Sequence, residues 1–448
     1  MMSREQAVAI AQRTLGAAKK TADDARLFLG GGRVATVALR AEAPPETRCV
    51  AGYTAELRVR LRGAIGVART VALDDASLRA LVDTALARAS VTPAKHALMP
   101  LPPVTAQREP TTFDPEVAQL PPAGLVALLA PAVLRARRYG VALEGVLAAR
   151  GGSLGVGADD GTFAVAHTGG LFHFHRTSRV RLSVWARAGE GRAYGEHEHW
   201  LLRAFNPAAL LDRLLVRARL LSSPKPLGAG EYTVILEPAA LAAFLRSLAP
   251  HFSADAVAES RSFLRGRVGR GVVMSNITLR DDFAHPLHAA LPYDGEGQPR
   301  RAVTLLDRGV VRAFTYSRAQ AWRASEPPTG HAPVWPARGD AMPRHLVLEG
   351  QPQSLNALIA SVKRGVLIAR VAGHRVVDGS RAVCAGATCG AFWIEGGRVR
   401  HAVTDLRYEM SAYDVLAYAT RLSRAVLADG VVAPALITNK FRILGRAR

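Results

Sequence analysis

An α+β fold in two domains is predicted by three features of the 448-residue sequence. Short stretches such as RVATVALRA and TAELRVRLR alternate apolar and polar residues, as half-buried strands do. Other stretches repeat apolar residues every three or four positions, as amphipathic helices do. A segment rich in glycine and proline, Ser222 to Tyr232, divides the chain near its middle. With 49% hydrophobic and 21% charged residues, the chain is globular in composition and long enough for two substantial domains, placed at 1–222 and 223–448.

Residues 3–20 read as a helix, followed by strands over 33–41 and 54–62. Asp74 to Ala89 has an acidic start with leucines and a valine at helical spacing, so a second helix is expected there. TPAKHALMPLPPVTAQREP reads as a linker or surface loop. A helix near Pro121 to Tyr139 leads into strands at 141–149, 162–167 and 171–187, which makes the N-terminal domain α+β.

Beyond the boundary TVILE reads as a strand, and Glu237-Pro238 as the start of a helix, because proline at the first helical position lacks only an amide that would be unpaired anyway. Leu241, Phe244, Leu245 and Leu248 fall on one face of it, and Pro250 ends it. Strands then dominate: VVMSNITLRD, AVTLLDRGVVRAFTY turning at Asp307 to Gly309, HLVLEG, GVLIARVAG, and AFWIEGGRVRHAV, where Gly396-Gly397 suits a tight hairpin. The C-terminal domain is therefore read as largely antiparallel β.

No run approaches the roughly 18 apolar residues of a membrane helix, and the opening MMSREQAVAIAQRTLGAAKK lacks a signal-peptide core, so a cytoplasmic protein without a membrane partner is expected. Cys49, Cys384 and Cys389 are too few and odd in number for a disulfide framework. The net charge of +21 raises polyanions as partners. The excess, however, is arginine scattered singly apart from clusters such as Arg135 to Arg138, and no nucleic-acid-binding motif accompanies it.

GGSLG (Gly151 to Gly155) matches a nucleophile elbow, but VGADDGTF after it does not open a helix, so a glycine turn between strands is the better reading. His173 with His175 and His197 with His199 each put two imidazoles on one strand face. A hairpin turning at Gly189 to Gly191 sets His197 and His199 opposite positions near 183 and 181, out of reach of the other pair, so exposed strand histidines are expected. The Cys384/Cys389 pair could bind metal only with further ligands, which the sequence does not place nearby; small residues filling a strand and turn are expected instead. Asp294 and Glu296, in a glycine-bounded turn, could act as acid and base or cap a solvated hairpin.

Several blocks, in order, resemble the TldD/PmbA family of metallopeptidase-related proteins, also called modulators of DNA gyrase: AHTGGLFHFHRTSRVRLSVWARAGEG, GEYTVILEPAALAAFL, PYDGEGQP with LLDRGVVRAFTYSRAQA, PPTGHA, HLVLEGQPQSLNALIASVKRGVLI and FWIEGGRVRHAV. The resemblance is nearly full length. It implies dimers around a cavity that admits unfolded peptide, with Asp294, Glu296, Gly297, Thr329 and Gly330 as candidate cavity residues. The family's peptidase branch carries H-E-x-x-x-H on the helix after the TVILE-like strand and a cysteine ligand near the end of the sheet. Here those positions fall on Arg246, Ser247 and His251, with the cysteine near Leu406. Only the last histidine remains, and Pro250 stands where the family has glycine.

The departure is similar to the PmbA (TldE) branch, which lacks the metal ligands. The expected role is a non-catalytic subunit in the proteolysis of unfolded or short peptides, with no cofactor of its own and zinc only in a TldD-like paralogue. A homodimer, a stand-alone peptidase with relocated chemistry and a peptide-binding module are the alternatives, and a polyanion-binding protein is less favoured. The CAGATC stretch departs from the family pattern.

Overall fold

In the N-terminal domain, helix α1 (Arg4–Ala18) starts on a capping box between Ser3 and Gln6, which satisfies two amides left unpaired at a helix start. Strands β1 (Asp24–Leu39), β2 (Glu46–Leu61) and β3 (Ala64–Thr70) follow, then α2 (Asp75–Val91), capped by Asp74. Next come α3 (Pro115–Gln119), α4 (Pro122–Arg138), β4 (Ala142–Ser153), β5 (Ala164–His167), β6 (Phe172–Phe174), β7 (Thr177–Ala188), β8 (Gly191–His199) and α5 (Ala208–Leu220). This computed structural model describes residues 1–41, 43–94, 101–104, 112–153, 163–333 and 339–447. Parts of GGSLG and of the proline-rich stretch lie outside them.

Among the described residues the strands form three sheets. The first, ordered β3-β2-β1-β4-β7-β8 with β5 and β6 beside β1, is antiparallel throughout. Strand β1 begins well before the expected RVATVALRA, because its glycines let neighbouring strands close in: a Cβ on Gly31 would lie 2.2 Å from the Gly52 carbonyl oxygen, and one on Gly32 2.1 Å from that of Gly151. The β7–β8 hairpin turns through two residues, so Leu182 faces His197 and Val180 faces His199, one position off the expected register. His173 and His175 are buried rather than exposed, since β6 folds under β5.

The C-terminal domain opens with β9 (Gly230–Leu236) and α6 (Pro238–Leu248), a helix buried on nearly every side. Short elements follow: α7 (Ala254–Ala258), β10 (Leu279–Asp281), β11 (Val303–Asp307), β12 (Val310–Val311), α8 (Arg318–Ala324), β13 (Leu346–Leu348) and α9 (Leu355–Ala360). Of VVMSNITLRD, only its last three residues are strand. Long strands β14 (Arg364–Asp378) and β15 (Val383–Glu395) precede β16 (Arg398–Val403), β17 (Leu406–Ser411), α10 (Ala412–Ala417), β18 (Ala419–Leu422), β19 (Val426–Ala428), β20 (Val431–Ala433) and β21 (Leu436–Arg446).

These strands form two sheets. One runs β12-β11-β10-β13-β20-β19. The other runs β14-β9-β21-β17-β15 and closes on itself, because β15 also pairs with β14. Closure leaves those strands paired on both sides and encloses a large apolar core around α6. Cys384 and Cys389 both lie on β15, five positions apart and hence on opposite faces, so they cannot share a metal ion.

Two contacts join the domains. Arg217 of α5 grips the Glu237 carboxylate at the start of α6 with both terminal nitrogens. Tyr293 stacks on His173 at 5.1 Å and donates to the Phe163 carbonyl at 2.7 Å, within an apolar cluster of Phe28, Val165, Leu171 and Leu291.

Candidate active-site region and the interdomain cleft

A cleft of about 560 Å³ opens where the domains meet, lined by β7 and β8 on one side and by α6, β14 and the β19–β20 hairpin on the other. The hairpin turns through Asp429 and Gly430, both at positive φ (50° and 73°), the conformation that an Asp-Gly two-residue turn supplies. Its tip carries Asp429 into the cleft. There the carboxylate meets Arg370 at 2.9 and 3.1 Å, and the backbone carbonyl accepts from Arg246 at 2.6 Å.

Glu196, on β8, completes the network from the N-terminal domain. It accepts from Arg181 at 2.6 Å and from Tyr194, lies 3.9 Å from Arg370, and shares a hydrogen bond with Asp429. Burial alone would raise Glu196, but its bonds to Asp429 and Tyr194 and the arginines hold it down to about 2. Burial and the adjacent Glu196 push Asp429 up to about 6. Two carboxyls from two domains thus share a proton between arginines.

The positions of the expected zinc motif lie at the end of α6 and nearby. Arg246 faces the cleft. Ser247 turns the other way, and its Oγ lies 2.9 Å from His374 Nε2. His374 Nδ1 in turn lies 2.6 Å from the Tyr408 hydroxyl. Ser247 also donates to the Ala243 carbonyl at 3.3 Å, so a consistent relay runs from Tyr408 through His374 and Ser247 to the helix backbone. Burial and the nearby Arg246 lower His374 to about 4, which keeps the ring neutral, and burial raises the Tyr408 phenol and the Cys384 thiol beside it.

His251 is buried against Phe263, with ring centroids 4.5 Å apart, and its Nδ1 has no partner. Leu406 is fully buried and offers no donor side chain. Zinc is held by Cys, His, Asp or Glu, so a set of arginine, serine, leucine and one isolated histidine does not fit that ion. Among the described residues no three or more such side chains gather elsewhere to hold a metal.

Asp294 lies away from the lining of the large cleft and is fully buried. One carboxylate oxygen accepts from the amides of Glu296 (2.8 Å) and Gln298 (2.9 Å), and the other from Ala332 (2.9 Å). The turn of Asp294 to Gln298 and the PPTGHA segment are thereby stapled together. Burial and the neighbouring Glu296 raise Asp294 to about 6. Glu296 accepts from the Arg318 amide at 3.2 Å, while Gly297, at φ 81°, sits against Leu171 of the N-terminal domain. Thr329 Oγ1 accepts from the Tyr316 amide at 2.7 Å, and Gly330, at φ 72°, passes so close to Pro299 that a Cβ would lie 2.3 Å from its carbonyl oxygen. These five residues converge on the interdomain joint.

Beside Thr329, the buried His331 contacts Asp281 at 3.0 Å, and Asp281 also accepts from the His345 amide at 2.8 Å. The cleft network, His374 and Tyr408 escaped the sequence reading, since each joins residues far apart in the chain. The Asp429-Gly430 hairpin signal was the one local hint.

Comparison with known proteins agrees with this architecture. The sequence model of the PmbA/TldA metallopeptidase C-terminal domain matches residues 229–445. The chain is 29% identical over 163 residues to a zinc metalloprotease TldD homologue of Saccharolobus solfataricus, covering 36% of each protein. It is 24% identical over 208 residues to a metalloprotease of Methanocaldococcus jannaschii, covering 45% of each. The chain therefore matches less than half the length of these curated relatives. Two crystal structures superpose over nearly the whole chain. TldE from Thermococcus kodakarensis has a TM-score of 0.85 at 19% identity, covering 97% of this chain and 99% of that one. A candidate modulator of DNA gyrase from Thermotoga maritima has a TM-score of 0.82 at 20% identity, with the same coverage.

Proposed function

Because the chain belongs to the TldD/PmbA family of metallopeptidases, we propose that it takes part in cytoplasmic proteolysis of unfolded or short peptides as the zinc-less, non-catalytic subunit of a complex with a zinc-bearing paralogue. The observation that carries this is the Tyr408–His374–Ser247 relay. It occupies the hydroxyl that stands in place of the motif glutamate, so no carboxylate is present there to activate a metal-bound water. The surrounding architecture is nevertheless kept.

Co-expression with an H-E-x-x-x-H paralogue, size exclusion and a casein or short-peptide assay test the proposal. Co-elution, with hydrolysis only by the pair, is expected. Zinc-independent hydrolysis by the isolated chain, abolished by a substitution within it, overturns it. The Glu196–Asp429 pair favours a second reading, a peptidase with relocated acid–base chemistry, for which hydrolysis would resist chelators and be lost in Asp429→Asn.

A further inference from the structure

Arg246 occupies the position of the motif's first histidine, so a fixed cation faces the cleft where the peptidase branch has a metal ligand. It uses one N–H on the Asp429 carbonyl at 2.6 Å and stays 3.8 Å from that carboxylate, with 47% of its side chain exposed. Burial and the neighbouring Arg370 outweigh Asp429 and make its charged form less favourable than usual, the mark of a site short of negative charge. The wider lining agrees: five arginines (179, 181, 246, 344 and 370) against three carboxylates (196, 198 and 429).

A second observation comes from His288, which lines the same cleft. It is only 5% exposed, and its Nε2 has no partner. Burial lowers it to about 4, so the ring is neutral, and the Leu346 carbonyl draws the proton of the other nitrogen. Nε2 is left as a buried acceptor, which is costly unless a ligand supplies an N–H. Trp200, Leu287 and Met342 add apolar wall. Small-ligand pockets are about 300–1,000 Å³, so the cleft suits the end of an extended chain better than a folded partner.

We propose that this cleft binds a peptide through a carboxylate, either the C-terminus or an acidic side chain, held by Arg246, with His288 accepting a peptide N–H. Guanidinium and carboxylate form paired charge-assisted hydrogen bonds, which gives the site a preference for acidic or C-terminal ends. This assignment rests on the peptide-handling role proposed above.

The test is isothermal titration calorimetry of the full chain with three tetrapeptides: Ala-Ala-Ala-Glu as the free acid, and Ala-Ala-Ala-Gln and Ala-Ala-Ala-Lys as amides. Wild type should bind the acid about tenfold tighter than the glutamine amide, a loss appropriate to one charge-assisted contact. Arg246→Met should bring the acid down to the level of the amide while leaving the amide unchanged. Arg246→Lys, which keeps the charge but not the fork, should retain an intermediate preference and guards against misfolding of the methionine variant, monitored by thermal melting. Equal binding of acid and amide by wild type overturns the proposal and leaves the peptide-handling role standing. So does an acid preference that survives Arg246→Met and falls only with salt, since that is diffuse attraction to a chain of net charge +21. Failure of every peptide to bind overturns both.

Discussion

Arg370 on β14 bridges Asp429, at 2.9 Å, to Glu196 of the other domain, at 3.9 Å, so one guanidinium holds together two carboxyls that share a proton. The signs of the two shifts are opposite. Glu196 is depressed on folding, so its contribution to stability is full above its unfolded value near 4.5 and is lost as pH falls toward about 2. Asp429 is raised, so its contribution is full below its unfolded value near 3.8 and is lost as pH rises through about 6. Between pH 7.5 and 5 the wild type should therefore gain stability relative to Asp429→Asn, with a difference in melting temperature on the order of 2 °C. Parallel melting curves for the two proteins across that range would show that Asp429 does not titrate there.

Purified chain should contain no stoichiometric zinc, and a chelator should leave its melting temperature unchanged, because a structural zinc contributes substantially to folding. One tightly held zinc per chain, found by elemental analysis, would contradict this.

Tyr408→Phe removes the group that faces His374 Nδ1 and leaves a partly buried ring nitrogen unpaired. A loss of about 1–3 kcal/mol in urea unfolding is expected. Ser247→Ala should cost less, about 1 kcal/mol, because the Ala243 carbonyl keeps its helical bond. If Ser247→Ala instead abolishes peptide hydrolysis by the isolated chain at unchanged stability, the relay is chemical rather than structural.

Asp294→Asn replaces an oxygen that accepts a backbone amide with a donor, whichever way the amide is turned. Unfolding should be easier by about 1–3 kcal/mol. Glu296→Gln, whose carboxylate accepts one printed backbone bond, should cost little, and activity lost by that variant at wild-type stability would mark Glu296 as a cavity residue.

The periodic elements were legible because local pattern determines them: α1, α2, α4 and α6, the β7–β8 hairpin and the glycine turn at 396–397 all carry their own signals. Strand β1 was read only in part, since Gly30 to Gly32 read as a breaker until the close approach of β2 and β4 explains them. Strands β17 to β21 were missed, being short or interrupted and held by pairing rather than by alternation. At the site, the loss of zinc ligands at Arg246, Ser247 and Leu406 was visible in the residue types alone. The partners of Ser247 were not: His374 lies 127 positions away and Tyr408 a further 34, a distance no local pattern spans.

The closed sheet also sets an order of events during synthesis. Its β9 strand pairs with β21, Gly230 meeting Ile443, so the ring cannot be completed until about two hundred further residues have left the ribosome. The first sheet, whose strands end at His199, has no such wait. The N-terminal domain can thus be in place as a nascent surface while β9 and α6, whose core-facing residues are almost wholly apolar, remain uncovered. A ribosome stalled near residue 430 should carry a protease-resistant N-terminal domain and a digestible remainder, and release should protect both together.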